Sequence, residues 1–470
     1  MNRLDRFFEI SRRGSTVGAE LRGGLVTFIA MAYIVVLNPI ILSGPEDVSG
    51  NHLQFAQVSA VTALTAGVMT ILFGVITRLP FAFAAGLGIN SFLATSVVGE
   101  LTWPEAMGLV VISGLVIVAL AASGLRRLVF DAVPIELKLA ITAGIGLFIL
   151  TIGLVDAGFI ASTGLPSPPV GLGSGGHGSI STIPTVVFIV TLLLTGVLVA
   201  RRVRGGILIG LTVGTLLAIA VEAIWHLGSA VDHPGGWGLS VPRFSGSPFA
   251  LPDLSLVGAF SFDSFSRIGA IAATVLVFTL VFANFFDALG TLTGLSRAAG
   301  VADANGTFPR LPSALIVEGA GAVVGGATSS SSNTVFIESG TGIEEGARTG
   351  LANLVTGALF LAAMFVAPLA SIVPSEVAAA ALVIVGAMMV SHLRHIDIAD
   401  FSVALPVVLT IAVMPLSYSI ANGIGVGFIS WVVVRSAVGK GREISPLLWL
   451  VAAGFLLYFA RDGITALVGV

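Results

Sequence analysis

A chain of 470 residues that is 56% hydrophobic and only 10% charged does not have the composition of a soluble domain, which is about a quarter charged, and reads as an integral membrane protein. Its net charge of -3 favours no charged macromolecular partner, and nucleic acid is not suggested. The lack of cysteine and the six histidines without an H-E-x-x-H spacing exclude thiolate sites and leave no expected metal or cofactor.

The N-terminal stretch MNRLDRFFEISRRG is charged and amphipathic, with no apolar signal core or small-residue cleavage site, so the first apolar span is expected to stay in the mature protein. Apolar runs then recur at 22–43, 57–77, 80–98, 105–124, 133–154, 183–200, 205–226, 269–295, 311–327, 333–347, 350–370, 374–391, 402–418 and 421–437. Most are near the ~20 residues a helix needs to cross a bilayer, and none shows the short alternation of a barrel strand. The predicted fold is therefore an all-α polytopic membrane protein of about fourteen spans. A further apolar segment, 446–460, is short for a span and is left between crossing and lying along the surface. Most of the 58 glycines sit inside apolar runs, where small residues allow close helix packing.

With the N terminus inside, nearly all Lys and Arg fall on the cytoplasmic side, including Arg3, Arg78, Arg126, Arg127, Arg204, Arg348 and Arg435. The expected location is the cell (plasma or inner) membrane, multi-pass, with a cytoplasmic N terminus. Arg243 falls in the longest external loop, 228–266, and Arg267 directly follows it; the loop is rich in Gly, Pro and Ser and reads as a linker between halves 1–227 and 267–470.

Two internal matches support those halves. VPIELKLAITAGIG (133–146) aligns with VPSEVAAAALVIVG (373–386), pairing Pro134 with Pro374 and Glu136 with Glu376, and AAGLGI (84–89) aligns with ESGTGI (338–343). Seven spans per half is an odd number, so the halves have opposite orientation, an inverted repeat of the kind that secondary transporters use. The third and tenth spans are the matched pair of broken segments. LPFAFAAG carries Pro80 and glycine, and TSSSSNTVF carries serines that compete with helical hydrogen bonds. Unwound backbone at membrane depth is tolerated where it lines a cavity or is buried in protein.

Ionisable groups inside spans are functional candidates by default. In VFANFFDALGTLTG, Asn284, Asp287 and Thr291 share one helix face, and Gly290 and Gly294 form a G-x-x-x-G. A carboxylate satisfied by neighbouring hydroxyls is the structural alternative for Asp287. Glu338 follows the unwound NTVFI and opens a half-helix, where unpaired N–H groups are expected, so it either binds substrate or caps the helix. Asn90 is the related polar position of the other broken span, again a cap or a substrate contact. Glu318 lies close enough in sequence to Arg310 to pair with it at the inner surface. Glu136 and Glu376 follow prolines at span starts and read as helix-capping. GLGSGG (171–176) lies outside any phosphate-binding unit, so an ion gradient is the expected energy source.

Four segments now carry a resemblance. TFIAMAYIVVLNPIILSG, PFAFAAGLGINSF, FFDALGTLTGLSRAAG and SNTVFIESGTGIEEGARTGL, in this order, resemble the signature segments of AzgA-like purine permeases of the second nucleobase:cation symporter family. The resemblance implies two inverted seven-span repeats divided into a core (spans 1–4 and 8–11) and a gate (5–7 and 12–14), with short strands in spans 3 and 10. It implies import of adenine, guanine or hypoxanthine by proton symport, with the core moving against the gate, and a homodimer as a state often seen in the family. Asp287 and Glu338 match the family's acidic positions, and Thr291 and Asn90 the accompanying polar ones. Ala85 stands where the family commonly has proline, and the serine run departs from the usual segment. Uracil, xanthine or an inorganic anion are alternative cargoes for the same fold, and a channel or receptor is the rival class.

A purine edge offers both N–H donors and ring-nitrogen acceptors, which a carboxylate together with backbone N–H groups and hydroxyls such as Ser339 would satisfy. Phe83, Phe285 or Phe336 are candidates to cover the ring faces. The coupled proton is assigned to Asp287, Glu338 or Glu318. No nucleophile–base pair supports an enzyme.

Overall fold

The computed structural model describes residues 3–468, except 124–131, 166, 174–177, 234, 239, 244–246, 303–307 and 309. Arg126, Arg127, His177 and the end of GLGSGG lie outside the described residues. The chain is overwhelmingly helical, and the helices follow the expected spans. Span 1 comprises Val17–Met31 and Ile34–Ser43, and spans 2 and 4 are Phe55–Thr77 and Trp103–Ser123. Spans 5, 6 and 7 are Ile135–Asp156, Ile183–Ala200 and Gly206–Trp225. In the second half, spans 8 and 9 are Ala270–Ala298 and Leu311–Ala327, and span 11 runs from Leu351 to Ala370. Spans 12, 13 and 14 are Ser375–Val390, Phe401–Leu416 and Ile420–Ala437.

Helix ends and breaks have local causes. The Thr16 hydroxyl accepts the Ala19 N–H at 3.2 Å and starts span 1. Pro39 inside that span cannot donate to Val35 O, and Ser59 of span 2 donates to this carbonyl instead, at 3.1 Å. Between the two pieces of span 1, Ala32 and Tyr33 form a turn.

Spans 3 and 10 cross as strand plus half-helix. Strand β1 (Phe83–Ala85) leads into the helix Leu87–Phe92, which continues as a wider turn over Leu93–Val97. Two short strands form a surface hairpin in the loop after span 5, β2 (Ile160–Ser162) with β3 (Val170–Leu172), which apolar periodicity does not foretell. Strand β4 (Asn333–Val335) leads into the six-residue helix Ser339–Glu344. β1 and β4 pair antiparallel, with Ala84 opposite Thr334. Side chains close the outer edge of β1 and the end of the ladder. Thr70 accepts the Phe83 N–H at 2.9 Å, Asn353 donates to Phe81 O at 2.7 Å, and Ser339 Oγ accepts the Ala82 N–H at 2.9 Å. In this way a two-stranded sheet is tolerated in an apolar interior.

The helix packing obeys the inverted repeat. Exchanging the halves maps the pair of spans 4 and 9 onto 11 and 2, the pair 1 and 11 onto 8 and 4, and 6 and 7 onto 13 and 14; 5 and 13 map onto 12 and 6. Both members of each of these relations are in contact. Spans 5 and 12 map onto each other and cross at Gly146 and Gly386, the last residues of the aligned 14-residue segments. A Cβ on Gly146 would meet Gly386 O at 2.7 Å, and one on Gly386 would meet Gly146 O at 2.5 Å. This self-complementary contact marks the two-fold axis. Gly294 of the span 8 G-x-x-x-G does not serve such an approach, because among the described residues a Cβ there would find only Ile337 Cδ1, at 3.9 Å.

The C-terminal helix, Pro446–Val468, is longer than the 446–460 segment suggested and packs on spans 8 and 14 through Phe455, whose ring meets Phe278 and Phe428. The linker is pinned at buried Trp237, which donates Nε1–H to Glu222 at 3.0 Å, while Arg243 also binds Glu222. Glu376, in the first turn of span 12, also accepts the linker's Gly238 N–H at 2.8 Å.

Candidate functional site

Where the two half-helices face each other, a cavity opens. Its polar lining comes from Tyr33, Asp287, Thr291, Thr334 and Glu338, and its apolar walls include Ile145, Val385, Met389 and Phe336. Among the described residues, no basic side chain lines it. Asp287 and Thr291 lie one turn apart on span 8 and both reach the cavity, as the shared face of that helix predicts. Asp287 stands within electrostatic range of Glu338 on one side and Glu318 on the other.

The first turn of the helix Leu87–Phe92 also lines the cavity. Its internal ladder begins only with Asn90 N–H to Gly86 O, at 3.0 Å. The N–H groups of Leu87, Gly88 and Ile89 precede that ladder and are available as donors. Gly88 allows this approach, since a Cβ there would meet Ile145 Cγ2 at 2.6 Å. The other half-helix corrects the expectation of unpaired N–H groups beside Glu338. The N–H groups of Ser339, Gly340 and Thr341 donate to the carbonyls of Phe336, Ile337 and Glu338 at 2.9–3.1 Å. A tight turn after β4 supplies those acceptors, so the free donors belong to the first half-helix alone.

Glu338 sits at the N-cap position of Ser339–Glu344 but makes no side-chain cap bond. Its Oε1 instead accepts the Tyr33 hydroxyl at 2.6 Å. Tyr33 escaped the sequence analysis. Its one signal was that it is one of only three tyrosines, placed in mid-span; the partner lies 305 residues away.

Five other candidates lie outside the lining. Asn90 is fully buried and donates to Asn38 Oδ1 at 2.5 Å; Asn38 in turn donates to Thr62 Oγ1 at 2.7 Å and Ser330 O at 3.1 Å. This network ties spans 1, 2 and 3 to the serine run. Phe83 packs against Phe73, with centroids 5.0 Å apart, on the strand face turned to span 9. Ser339 is consumed by Ala82 N–H and by donation to Phe336 O at 2.7 Å. Phe285 is buried in the core and is not part of the lining. Glu318 is 1% exposed and does not pair with Arg310, whose guanidinium donates to Ile76 O instead. Its carboxylate, without a well-formed hydrogen bond, lies beside the Thr334 hydroxyl and the Val335 N–H, one side chain removed from the cavity.

The serines of 328–340 have a structural share in this arrangement. Ser329 and Ser331 adopt positive φ, 57° and 68°, where the chain turns from span 9 into β4. The Ser330 hydroxyl accepts from Asn333 at 2.9 Å and from Thr328 at 3.3 Å. Thr334 and Val335 of β4 both line the cavity, Thr334 as the alternate residue outside the apolar cluster of Phe83 and Val335.

Residues 18–426 match the Permease family (Xan_ur_permease). The chain is 37% identical over 461 residues to the guanine/hypoxanthine permease PbuG of Bacillus subtilis, covering 97% of this chain and 99% of that protein. It is 34% identical to the adenine permease AdeP of Escherichia coli, covering 97% and 95%. Among solved structures, the transmembrane domain of the cyanobacterial bicarbonate transporter BicA is similar in fold, with a TM-score of 0.63 at 16% identity over 86% of this chain and 97% of that one. The chain belongs to the Permease family, and within it to the AzgA-like purine permeases.

Proposed function

We propose that the protein imports purine nucleobases (adenine, guanine or hypoxanthine) by proton symport. The observation that carries this reading is the cavity itself: two carboxylates, three hydroxyls and the opening N–H groups of a half-helix converge, with no basic side chain among the described lining residues. A purine edge alternates N–H donors, which the carboxylates accept, with ring nitrogens, which the backbone N–H groups and hydroxyls satisfy. The ring faces fit between Phe336, Ile145, Val385 and Met389. An inorganic anion would face two acids without a compensating base, which disfavours the anion-carrier alternative despite the shared fold. The relatives' named cargoes, guanine, hypoxanthine and adenine, support the purine class.

In this proposal the acid cluster of Asp287, Glu338 and Glu318 holds the coupled proton, because Asp287 lies close to both other carboxylates and no described residue of the cavity lining supplies a compensating base. Spans 1–4 and 8–11 form the core that carries the cavity's acids, and spans 5–7 and 12–14 form the gate that supplies Ile145, Val385 and Met389. Alternating access is the motion of one against the other, in the plasma or inner membrane with the N terminus cytoplasmic. Uptake of labelled adenine, guanine, hypoxanthine, xanthine and uracil into transporter-deficient cells, with and without a protonophore, tests the reading. Purine uptake that collapses with the proton gradient is expected. Uptake of no purine, or uptake indifferent to the gradient, would overturn it.

A further inference from the structure

We infer that Tyr33 is a specificity-determining positioning residue: by occupying Oε1 of Glu338, it leaves Oε2 as the single carboxylate oxygen presented to one ring N–H of the cargo. The inference rests on the purine reading above. A side chain at an N-cap position is usually held by its own helix, but Glu338 makes no such bond. Outside its own residue, its hydrogen-bond partner is the Tyr33 hydroxyl, at 2.6 Å, the short distance of a donor bound to a carboxylate. Oε2 has no partner from another described residue, and Glu338 lines the cavity.

Tyr33 is itself fixed. It is 1% exposed, and it occupies the turn between the two pieces of span 1, where its carbonyl accepts the Val36 and Leu37 N–H groups at 3.0 and 2.9 Å. The donor is therefore mounted on the start of a helix in one repeat and aimed at the mouth of a half-helix in the other. A carboxylate pinned at one oxygen presents a directional acceptor. A free one would rotate and accept from several purine edges alike.

The test is equilibrium binding to the purified full-length protein, with hypoxanthine, guanine and adenine as probes and then the ring N-methyl isomers of the tightest binder. The Tyr33→Phe variant keeps the ring and removes the hydroxyl. It is expected to weaken the parent purine about tenfold while leaving unchanged the isomer methylated at the contacted nitrogen, so that discrimination between the two falls by the same factor. Tyr33→His, which restores a ring-borne donor, is expected to recover part of that discrimination. Equal weakening of parent and isomers by Tyr33→Phe, or no weakening, would assign Tyr33 to packing alone and overturn the inference. Failure of the wild-type protein to bind any of the three purines would instead sink the purine reading on which it rests.

Discussion

Asp287 of span 8 and Glu338 of span 10 face one cavity, and replacing either carboxylate by an amide sets an N–H donor where the cargo's own N–H donors are to be accepted. Asp287→Asn and Glu338→Gln are each expected to lower purine uptake by about a hundredfold or more, with surface expression maintained; near-normal uptake in both would show these carboxylates to be structural. Asn90 should behave differently. Its amide holds Asn38, and Asn38 holds Thr62 and the serine-run carbonyl. Asn90→Ala is thus expected to destabilise the fold by about 1–3 kcal/mol and to lower the Tm of the detergent-solubilised protein, without altering the rank order of purines bound. A changed rank order with unchanged Tm would return Asn90 to the site. The two acids were legible in the sequence because a carboxylate in an apolar span stands out against its surroundings. Asn90 was legible as a polar residue but not as a network member, since the choice between facing a cavity and facing a neighbouring helix depends on packing. Tyr33 was illegible because its partner is supplied by the other repeat.

At the level of elements, the glycine at the end of each aligned 14-residue segment has a definite task. Gly146 and Gly386 bring spans 5 and 12 into backbone contact, and a Cβ on Gly386 would also meet Leu150 N at 2.8 Å. Backbone atoms cannot step aside as a flexible side chain can, so Gly386→Ala must separate the two helices. Overpacking of this kind destabilises by about 1–3 kcal/mol, and the expected outcome is a lower Tm. Gly294→Ala, with only Ile337 Cδ1 at 3.9 Å, serves as the control and should leave Tm nearly unchanged. An equal effect at both positions would contradict the assignment of the two-fold contact. The spans and the inverted repeat were readable from apolar runs and from those aligned segments. Which glycines carry close approaches was not, because G-x-x-x-G spacing records a helix face and says nothing of what packs on it. The same limit applied to the half-helix at Glu338. The sequence showed that the helix was broken, while the tight turn that satisfies its first N–H groups depended on where β4 ends.

Across the whole molecule, the proposed core and gate meet around the cavity and again at its rim. On the face that carries the N-terminal segment, Arg204, in the turn between spans 6 and 7, pairs with Glu345, just after the half-helix Ser339–Glu344. The adjoining segments anchor to the core, as Arg13 donates to the carbonyls of Arg78 and Arg348, and Glu20 accepts the Arg348 N–H at 2.9 Å. On the opposite face, Ser96 at the end of span 3 donates to Tyr418 O between spans 13 and 14, at 3.0 Å. Both contacts join a broken core span to a gate loop, one at each end of the cavity. Alternating access requires such contacts to form and part in turn. The chain has no cysteine, so Arg204→Cys with Glu345→Cys can be linked selectively by a short bis-methanethiosulfonate reagent. Linking is expected to reduce purine uptake by about tenfold or more, with recovery on reduction, while each single variant treated in the same way keeps its uptake. If the linked protein transports at the rate of the single variants, the two segments do not separate during the cycle, and the moving boundary must lie elsewhere than between spans 6–7 and the tenth span.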